Sequence, residues 1–280
     1  MNPVLSPAAA LASAATLGVA DFAGGVAGRR SSPPSVALSI ELVGLIAVPL
    51  AFWLLPARWE LGLMGYTFLG GVVGSFGLIL FYRAMALNLI GIVAPITGVI
   101  AAALPATAGL LFGGERLHVA QVAGIIAGLL AIGLINGPAQ SGTQGSRSAI
   151  GMAIIAGVAF GLFFILFHAG SASGVPAFLT GRFGSAIVSL CFALVTRVPF
   201  LPQRSSLRLI AVSGTLDGTG VVLYMYATLF GLLSISAILT SFYPAFTVLC
   251  ARVFLHERLS LLQTAGAATA VVAIALIAAG

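Results

Sequence analysis

Apolar residues along this chain fall in long unbroken runs and do not alternate with polar ones. Charges, prolines and glycines divide the runs into ten segments: 5–27, 35–55, 61–87, 90–112, 117–136, 149–169, 176–198, 206–229, 233–254 and 259–279. Nine have the roughly 17–25 residues that cross a bilayer as a helix, and 61–87 is slightly longer, as a tilted helix can be. A barrel would show short segments of alternating hydrophobicity instead. The pattern therefore predicts an all-α integral membrane protein of ten transmembrane helices. The longest polar stretch, Gly137 to Ser148 (GPAQSGTQGSRS), is a linker near the middle of the chain.

A linker in that place suggests a repeat. Shifting the chain by 142 residues aligns GGERLHVAQVAGIIAGLLAIGLI from Gly113 with LHERLSLLQTAGAATAVVAIALI from Leu255. Glu115, Arg116, Leu117, Gln121 and Gly124 then match Glu257, Arg258, Leu259, Gln263 and Gly266, and Tyr82 matches Tyr224. Shared richness in Ala and Leu explains the aliphatic matches but not Glu-Arg-Leu. The chain divides accordingly into a first five-helix repeat, 1–136, a linker, 137–148, and a second five-helix repeat, 149–280. An odd number of helices per repeat makes the second half enter the membrane from the opposite face. The halves are then inverted repeats, a plan of secondary transporters with substrate bound near the midplane.

Composition agrees. Apolar residues make up 60% and charged residues 6%, where a soluble domain carries about 25% charged. The formal charge is +6, and all twelve basic residues are arginines. They stand singly at the ends of apolar runs, as membrane-edge anchors do, so nucleic acid is excluded as a partner. Cys191 and Cys250 lie within apolar runs and read as small hydrophobes. Ala12-Ser13-Ala14 resembles a signal-peptide cleavage site. No positive residue precedes it and the run continues, so the first segment is expected to be a retained helix.

Three elements resemble the EamA-type members of the drug/metabolite transporter superfamily. The third segment ends in Tyr82-Arg83-Ala84-Met85-Ala86. The fourth carries Val93-Ala94-Pro95 and is followed by Gly114-Glu115-Arg116-Leu117. The fifth has Gln121-x-x-Gly124, and the second half repeats these as Glu257-Arg258-Leu259 and Gln263-x-x-Gly266. The family's Trp-Gly in the first helix of each half stands here as Leu17-Gly18 and Phe160-Gly161. The resemblance implies ten helices as five plus five, a bacterial inner membrane and transport of small metabolites. The nearest functional type is the YddG-like amino-acid exporter.

Ionisable residues inside a bilayer are costly, which makes each a site candidate. Asp21, Glu41 and Arg83 lie at similar depth near one face, and Arg83 is expected beside at least one of the two carboxylates. The trio reads as a charged wall or gate, or as a structural ion pair with a snorkelling arginine. Asp217 sits mid-segment within SGTLDGTG. It either faces a cavity or is buried and bonded to Thr219 or a neighbouring helix. Arg182 enters from the other face and is not expected to reach it. His168, at a segment end, is an interfacial residue or a proton carrier.

Tyr82, Tyr224 and Tyr243 offer hydroxyls. Phe160, Phe163, Phe164 and Phe167 form a stripe that lines an apolar pocket or packs against neighbours. Pro95 and Pro244 are expected to break helices and free carbonyls for a ligand. The substrate cavity is thus assigned to Tyr82, Phe163, His168, Asp217, Tyr224 and Tyr243. Glycines spaced along the third, fifth and sixth segments suit close helix packing.

No H-E-x-x-H, paired acids or P-loop is present, so the chain is expected to be no enzyme and to use no metal, cofactor or ATP. Its partners are a small molecule and the lipid bilayer, and a monomer suffices. The leading function is a secondary carrier exporting amino acids or related metabolites by alternating access. Nucleosides, sugars or cationic drugs are the other substrates considered; a channel and an intramembrane enzyme are the other classes. Arginine counts place the face opposite the termini in the cytoplasm, whereas the resemblance implies cytoplasmic termini.

Overall fold

A computed structural model of the protein describes residues 5–87, 90–114, 117–135 and 146–255, with 261–262, 265–266, 268–269, 272–273 and 276 beyond. The helices are α1 (Leu5–Gly28), α2 (Pro33–Val43), α3 (Val48–Leu54), α4 (Leu61–Ala86), α5 (Ile90–Leu111), α6 (Val119–Ile135), α7 (Ser146–Gly170), α8 (Val175–Val195), α9 (Leu207–Phe230), α10 (Leu233–Thr240) and α11 (Tyr243–Leu255). Among the described residues there is no strand beyond an isolated bridge between Ala57 and Gly174. Six helical spans are long and apolar enough to cross a membrane: Leu5–Gly28, Pro33–Leu54, Leu61–Ala86, Ser148–Ser173, Val175–Val195 and Arg204–Phe230. Shorter apolar helices accompany them. Glu115, Arg116, Glu257, Arg258, Gln263 and most of the tenth segment lie outside the described residues, as does most of the linker.

Two spans are interrupted. The second tightens into a 3₁₀ turn at Gly44–Ala47 between α2 and α3. Pro49 has no N–H to return to Leu45, and the Val48 N–H bonds that carbonyl instead. The ninth breaks at Ser241-Phe242, directly before Pro244. The Ser241 N–H closes on Ala237, and the Phe242 N–H shifts to Leu239. The expected break at Pro95 is not there. Helix α5 runs through that position, because one missing bond close to a helix start does not stop propagation. The Pro95 side chain is outside the described set.

Chain order does not govern packing. Helix α1 lies against α9 and α11, α4 against α7 and α8, α5 against α7, and α2 against α8 and α9. Residues before the linker are therefore covered mainly by residues after it. Large apolar side chains such as Trp53, Trp59, Phe112 and Leu201 face outward, as a bilayer-facing surface requires.

Glycines set how near these helices come. A Cβ on Gly71 would overlap the Gly181 carbonyl of α8, and one on Gly184 would overlap the Phe68 carbonyl of α4. Gly70, Gly74 and Gly77 instead receive Phe167, Phe163 and Ala159 of α7. Without a hydrophobic force between helices in lipid, such contact is a main source of association. Gly71→Ala is expected to cost about 1–3 kcal/mol, measured as a lower midpoint of thermal unfolding in detergent.

Candidate functional site

A cavity opens where α1, α2, α4, α7, α8, α9 and α11 meet. Its charged wall is Asp21, Glu41, Arg182 and Asp217. Its apolar wall is the α7 stripe of Phe160, Phe163, Phe164 and Phe167, with Leu17, Leu78 and Val221. Tyr243, at the break before α11, and Ser185 complete the lining. The volume open to the centres of water molecules is about 70 Å³.

Arg182 organises the charged wall. Its Nη1 donates to Glu41 Oε2 at 2.7 Å and to Asp217 Oδ2 at 2.6 Å. Three helices meet in this bridge: α8 brings the guanidinium, α2 and α9 the carboxylates. Glycines allow the approach. A Cβ on Gly44 would sit 3.1 Å from Arg182 Nη1, and one on Gly218 would overlap the Gly44 backbone. The guanidinium also lies 5.2 Å from the centre of the Phe178 ring, a cation–π contact. Arg182 and Glu41 side chains are only 6% and 7% exposed. Charges that deep are tolerated when paired.

Pairing leaves specific atoms unused. Arg182 Nη2 and the Tyr243 hydroxyl are both buried and without a hydrogen-bond partner among the described residues. Asp21 lines the same cavity with no ion-pair or hydrogen-bond partner among the described residues. The cavity thus offers a free guanidinium edge, a free hydroxyl and a free carboxyl opposite a wall of phenylalanines.

The structure rearranges several sequence expectations. Arg83 is exposed and pairs with neither Asp21 nor Glu41 among the described residues. The cation of the charged wall is Arg182, because Gly44 and the 3₁₀ turn bring α2 down onto it. Asp217 faces the cavity, and Thr219 bonds the Thr215 carbonyl, not Asp217. Phe163 and Tyr243 also line the cavity.

Tyr82, Tyr224 and His168 do not line it. Tyr82 is buried with its hydroxyl packed against Gly24. Tyr224 donates to the Phe164 carbonyl at 2.7 Å and stacks near that ring, holding the α7 stripe from behind. His168 lies near the end of α7, where its carbonyl accepts from Ser171. Sequence reasoning counted Arg182 among the intramembrane ionisable residues but did not expect it to reach Asp217, and so left it off the cavity and the charged wall. It is nonetheless the one arginine deep within an apolar span of the second half, which was the available signal.

Comparisons with known proteins bear on this arrangement. A search of curated proteins finds no match. A solved structure described only as the crystal structure of a protein aligns over 96% of this chain and 97% of its own, with TM-score 0.73 and 18% identity. At that identity the likeness speaks for the fold. Residues 147–279 match the EamA-like transporter family. The chain is accordingly a multi-pass membrane protein that carries an EamA-like transporter domain at residues 147–279.

Proposed function

We propose that this protein is a secondary transporter exporting amino acids or closely related metabolites across a bacterial inner membrane. The cavity's division into a charged and an apolar wall carries this reading. A zwitterion needs a donor for its carboxylate, an acceptor for its ammonium and an accommodating surface for its side chain. Arg182 Nη2 and the Tyr243 hydroxyl supply the donors, Asp21 the acceptor, and the α7 phenylalanines the surface. Fixing Arg182 Nη1 on two carboxylates leaves its other edge preorganised, which lowers the cost of binding.

The reading includes ten helices as two inverted five-helix repeats, residues 1–136 and 149–280, moving about this cavity by alternating access. Helix positions support it. The 142-residue shift carries α1 onto α7, the α2–α3 span onto α8, α4 onto α9, and α5 onto α10–α11. A second reading has its own support. Three carboxyls face one guanidinium in the cavity, a balance that also suits organic cations.

Counterflow in proteoliposomes decides between them. Preloaded unlabelled leucine should drive saturable entry of labelled leucine, with quaternary amines failing to compete. Competition by quaternary amines without amino-acid exchange would favour the second reading. Tyr243→Phe should weaken leucine binding about five- to tenfold, the worth of one hydrogen bond, with thermal stability unchanged because that hydroxyl has no hydrogen-bond partner among the described residues.

A further inference from the structure

The helix ends on one face of the protein gather unmatched positive charge. Arg29 and Arg30 follow α1, Arg197 follows α8, and Arg204 and Arg208 stand at the start of α9. Arg83 joins them from the last turn of α4, whose Tyr82 lies against Gly28 at the end of α1. All six are exposed. None forms an ion pair among the described residues, where both salt bridges belong to Arg182. The exposed acid Glu60 lies at the opposite end, next to Arg58, whose N–H bonds Ser173 ahead of α8. The other described carboxyls, Asp21, Glu41 and Asp217, line the central cavity. This face therefore holds no described acid of its own to neutralise it.

Two of the six arginines line a cleft. Arg29, Arg30 and the serines at the start of α2 form one wall, and the loop from Pro199 to Gln203 between α8 and α9 forms the other. Its volume is about 330 Å³, within the range of ligand pockets, about 300–1,000 Å³. Hydrogen bonds fasten the walls together. Ser31 Oγ donates to Ser206 Oγ at 3.1 Å and accepts from the Gln203 N–H at 3.0 Å, and Ser35 donates to the Pro199 carbonyl. The Ser31 and Ser35 protons are thus spent within the walls. The start of α2 adds its partial positive charge, but Pro33 and Pro34 have no N–H to give. Donors for a ligand come from Arg29 and Arg30, whose guanidiniums form no hydrogen bond or ion pair among the described residues.

A guanidinium fits phosphate oxygens with two parallel N–H bonds. The surface beside the cleft is apolar: Leu194, Val195, Phe200 and Leu201 are all exposed. Basic charge at the end of a bundle, flanked by apolar surface, is the arrangement that an anionic lipid matches with both its headgroup and its chains. We propose that this cleft binds the phosphate of an anionic phospholipid, with the acyl chains over Leu201 and the end of α8. The site is separate from the central cavity and does not depend on which solute crosses. Its walls come from the ends of α1, α2, α8 and α9, the helices that carry Asp21, Glu41, Arg182 and Asp217. A bound headgroup therefore ties residues before the linker to residues after it and stabilises the folded chain by mass action.

Native mass spectrometry of the full chain in detergent tests this, with phosphatidylglycerol and phosphatidylcholine of identical acyl chains as probes. Phosphatidylglycerol should bind at least about tenfold more tightly and should raise the thermal unfolding midpoint. Arg29→Gln combined with Arg30→Gln should lose at least about tenfold in phosphatidylglycerol affinity, together with the lipid's thermal shift. Its midpoint without lipid should match wild type, because neither guanidinium holds a partner in the fold. Arg83→Gln, exposed on the same face but outside the cleft, should keep the affinity within about twofold. Millimolar inorganic phosphate, which shares the headgroup chemistry but has no chains, should not displace the lipid. Equal affinity for the two lipids, or an undiminished preference in the double variant, would overturn the site. An equal loss in Arg83→Gln would overturn the cleft in favour of diffuse charge, and displacement by inorganic phosphate would overturn the lipid in favour of a soluble anion. The amino-acid reading stands or falls separately from all of these.

Discussion

Replacing Arg182 with leucine should abolish substrate binding and destabilise the protein by about 3–5 kcal/mol, the usual cost of leaving buried carboxylates without their cation. Both losses follow from one geometry. Nη1 neutralises Glu41 and Asp217 at 2.7 and 2.6 Å, and Nη2 of the same cavity-lining side chain has no hydrogen-bond partner among the described residues. Removing the side chain strands two carboxylates and deletes the donor for a substrate carboxylate. The two effects separate in a second variant. Arg182→Met with Glu41→Gln and Asp217→Asn removes the stranded charges, and apolar or neutral replacement of a buried charge cluster is often neutral in stability. That triple variant should recover most of the thermal stability in detergent and still bind no amino acid. Recovery of both would mean that Arg182 only holds the helices together.

Phe163→Ala should change which substrates bind. The Phe163 ring lies 4.2 Å from Phe167 and 5.6 Å from Phe164, centre to centre, and closes the cavity over Gly74. Burial of a large apolar side chain is worth about 1.5–3 kcal/mol. Loss of much of that contact should weaken leucine or phenylalanine by roughly 30-fold. Glycine and serine, which do not reach the wall, should weaken less than about threefold. Competition of each against labelled leucine in counterflow measures this. Equal losses for all would place the side chain of the substrate elsewhere.

Much of this arrangement was visible in the sequence. Apolar runs located the described helices within a few residues, because in a bilayer helix length is set by hydrophobic thickness. Pro244 marked the break before α11. Asp21, Glu41 and Asp217 stood out as carboxyls where carboxyls are costly. The phenylalanines of α7 were spaced to share a face, and the structure turns that face to the cavity.

What stayed hidden depends on contacts across the chain. Glu41 and Arg182 are 141 residues apart, and periodicity says nothing about such a meeting. Depth estimated by counting residues paired Arg83 with the carboxylates, yet depth along a helix does not fix which way a side chain points. Arg83 turns outward. Arg182 reaches across because Gly44, Gly214 and Gly218 let α2 and α9 close to backbone contact. The tyrosines show the same limit. Tyr82 and Tyr224 align under the 142-residue shift, which made both attractive as ligands. In the structure both are buried supports, and Tyr243, which aligns with Ala101, carries a hydroxyl without a partner among the described residues.

The most direct test of the central claim is calorimetric titration of the purified full chain with three ligands of one shape: leucine, leucinamide and 4-methylpentanoate. Leucine presents both charges, leucinamide lacks the carboxylate that Arg182 and Tyr243 would hold, and 4-methylpentanoate lacks the ammonium that Asp21 would hold. The account predicts binding of leucine, with each of the others at least about tenfold weaker. Equal affinity for all three, or binding of none, would contradict it.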